Sequence, residues 1–88
     1  MRHFTDRIGQ IEQNIQFQQL VTDFRIVTLV RSFAQGNIVR KRVRVQTRRL
    51  HNRLLNLCQR YRDDNIQLDE FLRAVGRNIR LGLRPEQE

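Results

Sequence analysis

The sequence predicts an all-α fold, a small bundle of three to four helices forming a single domain over residues 1–88. Three observations carry that expectation. Apolar residues recur at spacings of three and four along most of the chain. No Asn-Gly or Asp-Gly hairpin signal occurs. The single proline, Pro85, stands near the end, so none interrupts a helix.

A first helix is expected over about 3–16, where Phe4, Ile8, Ile11 and Ile15 form one stripe and Thr5 or Asp6 suits the cap. A second follows over 17–34, either continuous with the first or after a kink near Asn14 to Gln18. It is apolar on two sides. Phe17, Leu20, Val21, Phe24 and Val27 make one face, and Ile26, Val30 and Phe33 make another. Such a helix is expected to be buried between neighbours. "AQGN" at 34–37 breaks the pattern, with Gly36 suited to a left-handed residue and Asn37 to the next cap.

The third helix is expected over 38–62. Val39, Val43, Leu50, Leu54, Leu57 and Tyr61 fall within about 60° of one another at 100° per residue. "RVRV" at 42–45 alternates like a strand, but for four residues only, against a helical pattern more than twenty long. "RDDN" at 62–65 ends it. A fourth element over 66–81 carries Leu68, Phe71, Leu72, Val75 and Ile79. Asp69 and Glu70 in its first turn and Arg77 and Arg80 in its last suit the helix dipole, and Gly82 suits its end.

The charge is concentrated. Residues 1–35 net +1, residues 36–62 carry nine bases and no acid, and residues 63–88 net −2, which accounts for the overall +8. Sixteen of the 17 bases are arginine, whose planar fork grips phosphate on two prongs, although a GC-rich genome would produce the same bias. On the wheel of the third helix, Arg40, Arg44 and Arg62 flank the apolar stripe on one side and Arg42, Arg53 and Arg60 on the other, with Lys41, Arg48 and Arg49 behind. A floating tail has no reason to keep six apolar residues in register. A solvated face usually interleaves both signs. Nine bases without an acid repel one another by a few tenths of a kcal/mol per i,i+4 pair unless a counter-charge is present.

The expected site is therefore Arg40, Lys41, Arg42, Arg44, Arg48, Arg49, Arg53, Arg60 and Arg62, and the expected partner is an RNA or DNA backbone. Arg42, Arg49, Arg53 and Arg60 make a row about 27 Å long, enough to span several phosphates. Gln46, Asn52, Asn56 and Gln59 supply further donors. Aromatic residues are scarce there, which predicts recognition of shape and backbone rather than stacked bases. The expected role is a small subunit of a larger nucleoprotein complex with other protein subunits.

The alternative is an adaptor or regulator whose basic helix meets an acidic protein, including a second copy of this chain through its acidic C-terminal third. A membrane surface is not expected, since Trp is absent and the stripe is explained as core.

No enzyme and no cofactor are expected. "DDNIQLDEF" has the acids of half an EF-hand loop, but that register places Gln59 and Tyr61 at ligand positions and Asp64 where glycine is required. One cysteine and two histidines make no zinc pattern, and no phosphate loop or nucleophile elbow occurs. Cys58, with no possible internal disulfide partner, is expected at the edge of the core. The single thiol and a polar N-terminus lead to the expectation of an intracellular protein without a signal peptide.

Overall fold

One face of the longest helix organises the molecule. The computed structural model describes the backbone of residues 2–83 and the side chains of residues 4–80. Four helices run along the chain: α1 (Arg2–Glu12), α2 (Ile15–Phe33), α3 (Asn37–Tyr61) and α4 (Leu68–Leu83). No strand occurs among the described residues, so the fold is the all-α bundle that the periodicity predicts. Every pair of helices is in contact.

The stripe of α3 supplies buried Val43, Leu50, Leu54, Leu57 and Cys58. Ile11 from α1, Phe17 and Leu20 from α2, and Phe71, Val75 and Ile79 from α4 pack with its last four members. Phe4 meets Phe71 edge to face at 5.8 Å. The shared core is thus built on the C-terminal half of α3. The first half of α3 buries only Val43 and is packed alongside the second half of α2. These two segments extend beyond the four-helix core as an antiparallel hairpin.

Asn14 separates α1 from α2 and joins both to α3. Its extended backbone stops α1 short of residue 16, and its side-chain oxygen accepts from the Phe17 amide at 3.2 Å, capping α2. Its amide nitrogen donates to the Tyr61 hydroxyl at 2.7 Å. Between α3 and α4, the Asp63 carboxylate accepts from the Asn65 amide at 2.9 Å, and Ile66 inserts into the core. The Arg7 guanidinium stands 3.8 Å from the Asp63 carboxylate and ties α1 to this loop.

Several expectations change. Thr5 and Asp6 lie inside α1, which begins at Arg2, so neither caps it. Ile15 begins α2 rather than ending α1, and that turn leaves it 72% exposed. Gly36, at φ +85°, holds the cap position of α3, while Asn37 is the first helical residue. A side chain at Gly36 would be strained by that angle even though space is open around it. α4 starts at Leu68, two residues late, because Ile66 is used as a loop plug; Gly82 lies within the helix, and Arg77 falls before its last turn. Pro85 lies outside the described residues.

The largest correction concerns α2. One face packs as expected, but Ile26, Val30 and Phe33 are exposed, and Leu29 with them. The other three helices pack on α3, and among the described residues no element covers the far side of α2.

Leu54 is buried at the centre of the core, so Leu54→Ala should cost about 2–5 kcal/mol in chemical denaturation. Cys58 is fully buried, deeper than the expected core edge. Burial pushes its thiol up from 9.0 to about 11. The folded state therefore keeps its proton where the unfolded chain loses it. This contribution to stability is complete below pH 9 and declines as pH rises toward about 11. Cys58→Ala should flatten that part of the stability profile, and in the parent protein the thiol should react with disulfide reagents only as fast as the core opens.

Candidate nucleic-acid interface

From Phe24 to Arg62 the chain contains eleven bases and no acid. The hairpin folds this stretch back on itself, so charges distant in sequence converge. Arg31 lies five residues before Gly36 and Arg40 four after it. The turn therefore brings the last turn of α2 against the first turns of α3.

The result is a cleft of about 990 Å³ lined by Arg31, Ser32, Ala34, Asn37, Arg40, Val43, Arg44, Thr47, Arg48 and His51. Four guanidinium groups and an imidazole surround a floor supplied by Val43 and Ala34. Arg40, Arg44 and Arg48 are spaced i, i+4, i+8 and rise about 12 Å along α3. Among the described residues, no carboxylate stands within ion-pair distance of any of these four arginines. The Ser32 hydroxyl donates to the Thr28 carbonyl at 3.1 Å and that of Thr47 to the Val43 carbonyl at 2.8 Å. Both protons are thus engaged, leaving the donors of the cleft to arginine, Asn37 and His51. The His51 ring is exposed and meets Phe24 edge to face at 5.6 Å, which holds it at the cleft wall.

The other flank of α3 differs. The Arg53 guanidinium stands 3.6 Å from the Asp23 carboxylate of α2. Arg60 donates to the Gln16 side-chain oxygen at 3.1 Å. Arg49 and Arg53 border a shallow groove with Asp23, Ile26 and Gln46. The 27 Å row thus includes two members already engaged with α2, whereas the cleft arginines have no such partner. Lys41 and Arg42 stand exposed on the outer surface of α3.

Arg62 is turned inward. It caps α3, and its guanidinium donates to the Ile66 carbonyl at 2.8 Å in the loop before α4. Its Nε is buried without a protein partner. The structure therefore brings together Arg40, Arg44 and Arg48 of the expected set, places Arg49, Arg53 and Arg60 on a second flank, and assigns Arg62 to the loop.

Arg31 and His51 were not part of the expected set. Arg31 sits among apolar residues in the sequence and joins the cleft only through the hairpin. The short 34–36 break was the available signal, because short connections make antiparallel neighbours. Among the described residues, no group of three or more His, Cys, Asp or Glu side chains could hold a metal ion. No helix among them is long and apolar enough to cross a membrane.

No protein-family model matches the chain, and neither a curated protein nor a solved structure does.

Because Arg62 supports the loop rather than a surface, Arg62→Ala should lower stability by about 1–3 kcal/mol through the lost charged hydrogen bond. Affinity for polyanions should stay near the parent value when measured at a temperature where the variant is folded.

Proposed function

We propose that this protein is a non-enzymatic nucleic-acid-binding protein. It holds an RNA or DNA backbone through α3 and acts within a larger nucleoprotein complex inside the cell. The observation that supports this most is the acid-free cleft, where Arg31 joins Arg40, Arg44 and Arg48 around a concave surface. Arginine forks are spaced there to meet successive phosphates, and a bound backbone would relieve the mutual repulsion of the i,i+4 arginines. Lys41, Arg42 and Arg49 extend the positive field around the outer face of α3. Asn52, Asn56 and Gln59 are exposed on the same helix and can donate to phosphate or sugar oxygens. His51 and its Phe24 neighbour offer little surface for stacking, so low sequence specificity is expected.

Binding should depend strongly on salt. With about four phosphate contacts on duplex DNA, the slope of log K against log salt should be about −4 between 50 and 200 mM. Reversal of Arg40, Arg44 and Arg48 to Glu should abolish binding with helicity preserved, since none of the three is buried. Reversal of Arg73, Arg77 and Arg80 on α4, near Asp69 and Glu70, should do much less. Replacement of the three cleft arginines by Lys tests the fork: a large loss supports two-pronged phosphate contacts, and full affinity reduces the site to plain charge. Competition among RNA, duplex DNA, single-stranded DNA and an acidic polypeptide decides the partner. A clear preference for the polypeptide would replace this reading with that of a protein adaptor.

A further inference from the structure

The far side of α2 is apolar over its second half, and nothing among the described residues covers it. Ile26, Leu29, Val30 and Phe33 occupy it at 52%, 56%, 43% and 80% exposure, and Ile15 lies on the same side at 72%. Gln18, Gln19 and Thr22 complete the face. Weighted by exposure, the contiguous patch of Ile26, Leu29, Val30 and Phe33 leaves on the order of 500 Å² open to water, and Ile15 brings the face to about 600 Å², within the upper range for a lone monomer.

The face holds no charged residue, although 30% of the chain is charged. Asp23 and Arg25 border it on opposite edges, and the Asp23 carboxylate is already beside Arg53. An anionic lipid surface or an acidic helix would find no base within the stripe itself. A second copy of the same face brings no charge into the stripe itself; the two Arg25 residues meet only at its edge, where their long side chains can extend into water. The Thr22 hydroxyl donates to the Gln18 carbonyl at 3.2 Å, so burial of this residue would strand no donor.

The two ends of the face are complementary. Phe33 projects at one end. A shallow hollow lined by Ile15, Gln18, Gln19, Thr22 and Asp23 lies at the other. Ile26 is seven residues from Phe33 and seven from Gln19, about 10 Å from each along the helix. Two antiparallel copies of α2 crossing at Ile26 would place each Phe33 over the hollow of the other copy. Val30 and Thr22 exchange places in the same way. A knob and a hollow equidistant from one point are the requirement for an isologous two-fold contact.

We infer that the protein pairs with a second copy of itself through the outer face of α2, antiparallel about Ile26. The apolar area of about 600 Å² per chain, with its polar rim, approaches the ~800 Å² per partner of a standard interface. The pair leaves the cleft of Arg31, Arg40, Arg44 and Arg48 outside the contact, while the Arg49–Arg53 groove adjoins its edge at Ile26. This differs from the pairing through the acidic C-terminal third considered from sequence. It also stands independently of the nucleic-acid reading.

Sedimentation equilibrium of nuclease-treated full-length protein, over a micromolar concentration series, tests it. The expected result is a species of twice 10.7 kDa that persists at about 1 M salt, where charge-based pairing is screened. Leu29→Glu with Phe33→Glu should return a monomer with unchanged circular dichroism, since neither residue is in the core. Phe33→Gln, a milder change, should weaken dimerisation at least tenfold. Ile26→Cys should crosslink on oxidation, whereas Gln59→Cys on α3 should not; native Cys58 is buried and does not compete. A monomer throughout the series overturns the inference, as does a monomer that binds anionic vesicles through Phe33. A dimer that dissociates in salt, or survives the double substitution, places the contact elsewhere and overturns it equally. Polyanion binding by the monomeric variant has no bearing on this outcome, so the two proposals fail separately.

Discussion

The constraint on which the rest of the structure depends is the division of α3 between two duties. One narrow stripe must bury Val43, Leu50, Leu54 and Leu57, and the remaining circumference carries the charge of the molecule. Eighty-eight residues provide only a modest core, and it is gathered at the C-terminal half of α3, where α1 and α4 can reach. The hydrogen bond from Asn14 to Tyr61 and the inserted Ile66 close that half. The N-terminal half of α3 has α2 alone as support. The charged and exposed apolar residues are concentrated on this less enclosed hairpin.

The consequences of that arrangement are electrostatic. Arginines on an isolated helix would point into open water and act singly. Folding α2 alongside α3 makes one wall of a cleft from Arg40, Arg44 and Arg48 and another from Arg31. Their repulsion is a standing cost to the empty protein, small for each pair but repeated along the helix. An anion with several charges relieves all of these pairs together, whereas a monovalent ion relieves only one. The opposite flank is moderated by Asp23 and Gln16, so the field is uneven around the helix even though the sequence distributes bases on both sides. The far face of α2 adjoins the Arg49–Arg53 flank at Ile26 but shares no lining residue with the cleft of Arg31, Arg40, Arg44 and Arg48.

Much of the fold was legible because local signals agreed. The stripes of α3 and α4 keep helical register for many residues, and the break at Gly36 and the acids at 62–65 are strong punctuation. Boundaries were less legible where a residue served tertiary structure. Asn14 ends one helix because it can cap the next, and Ile66 leaves helical pattern because the core needs a plug. The double apolar face of α2 was visible, but its meaning was not. Two-sided hydrophobicity says that both faces want cover; it does not say whether the chain itself supplies both. The site was legible as a basic helix and illegible as a cleft. Arg31 belongs to it only through the hairpin, and Arg62 leaves it only because the Ile66 carbonyl needs a donor.

The location of the anion site is the central claim, and arginine side-chain NMR tests it most directly. Titration of the protein with a short oligonucleotide should shift and broaden the Nε resonances of Arg31, Arg40, Arg44 and Arg48 first, together with the ring nitrogens of His51, while Arg62 stays unmoved. Largest shifts at Arg73, Arg77 and Arg80 on α4, or equal shifts at every arginine, would contradict a site built by the α2–α3 hairpin.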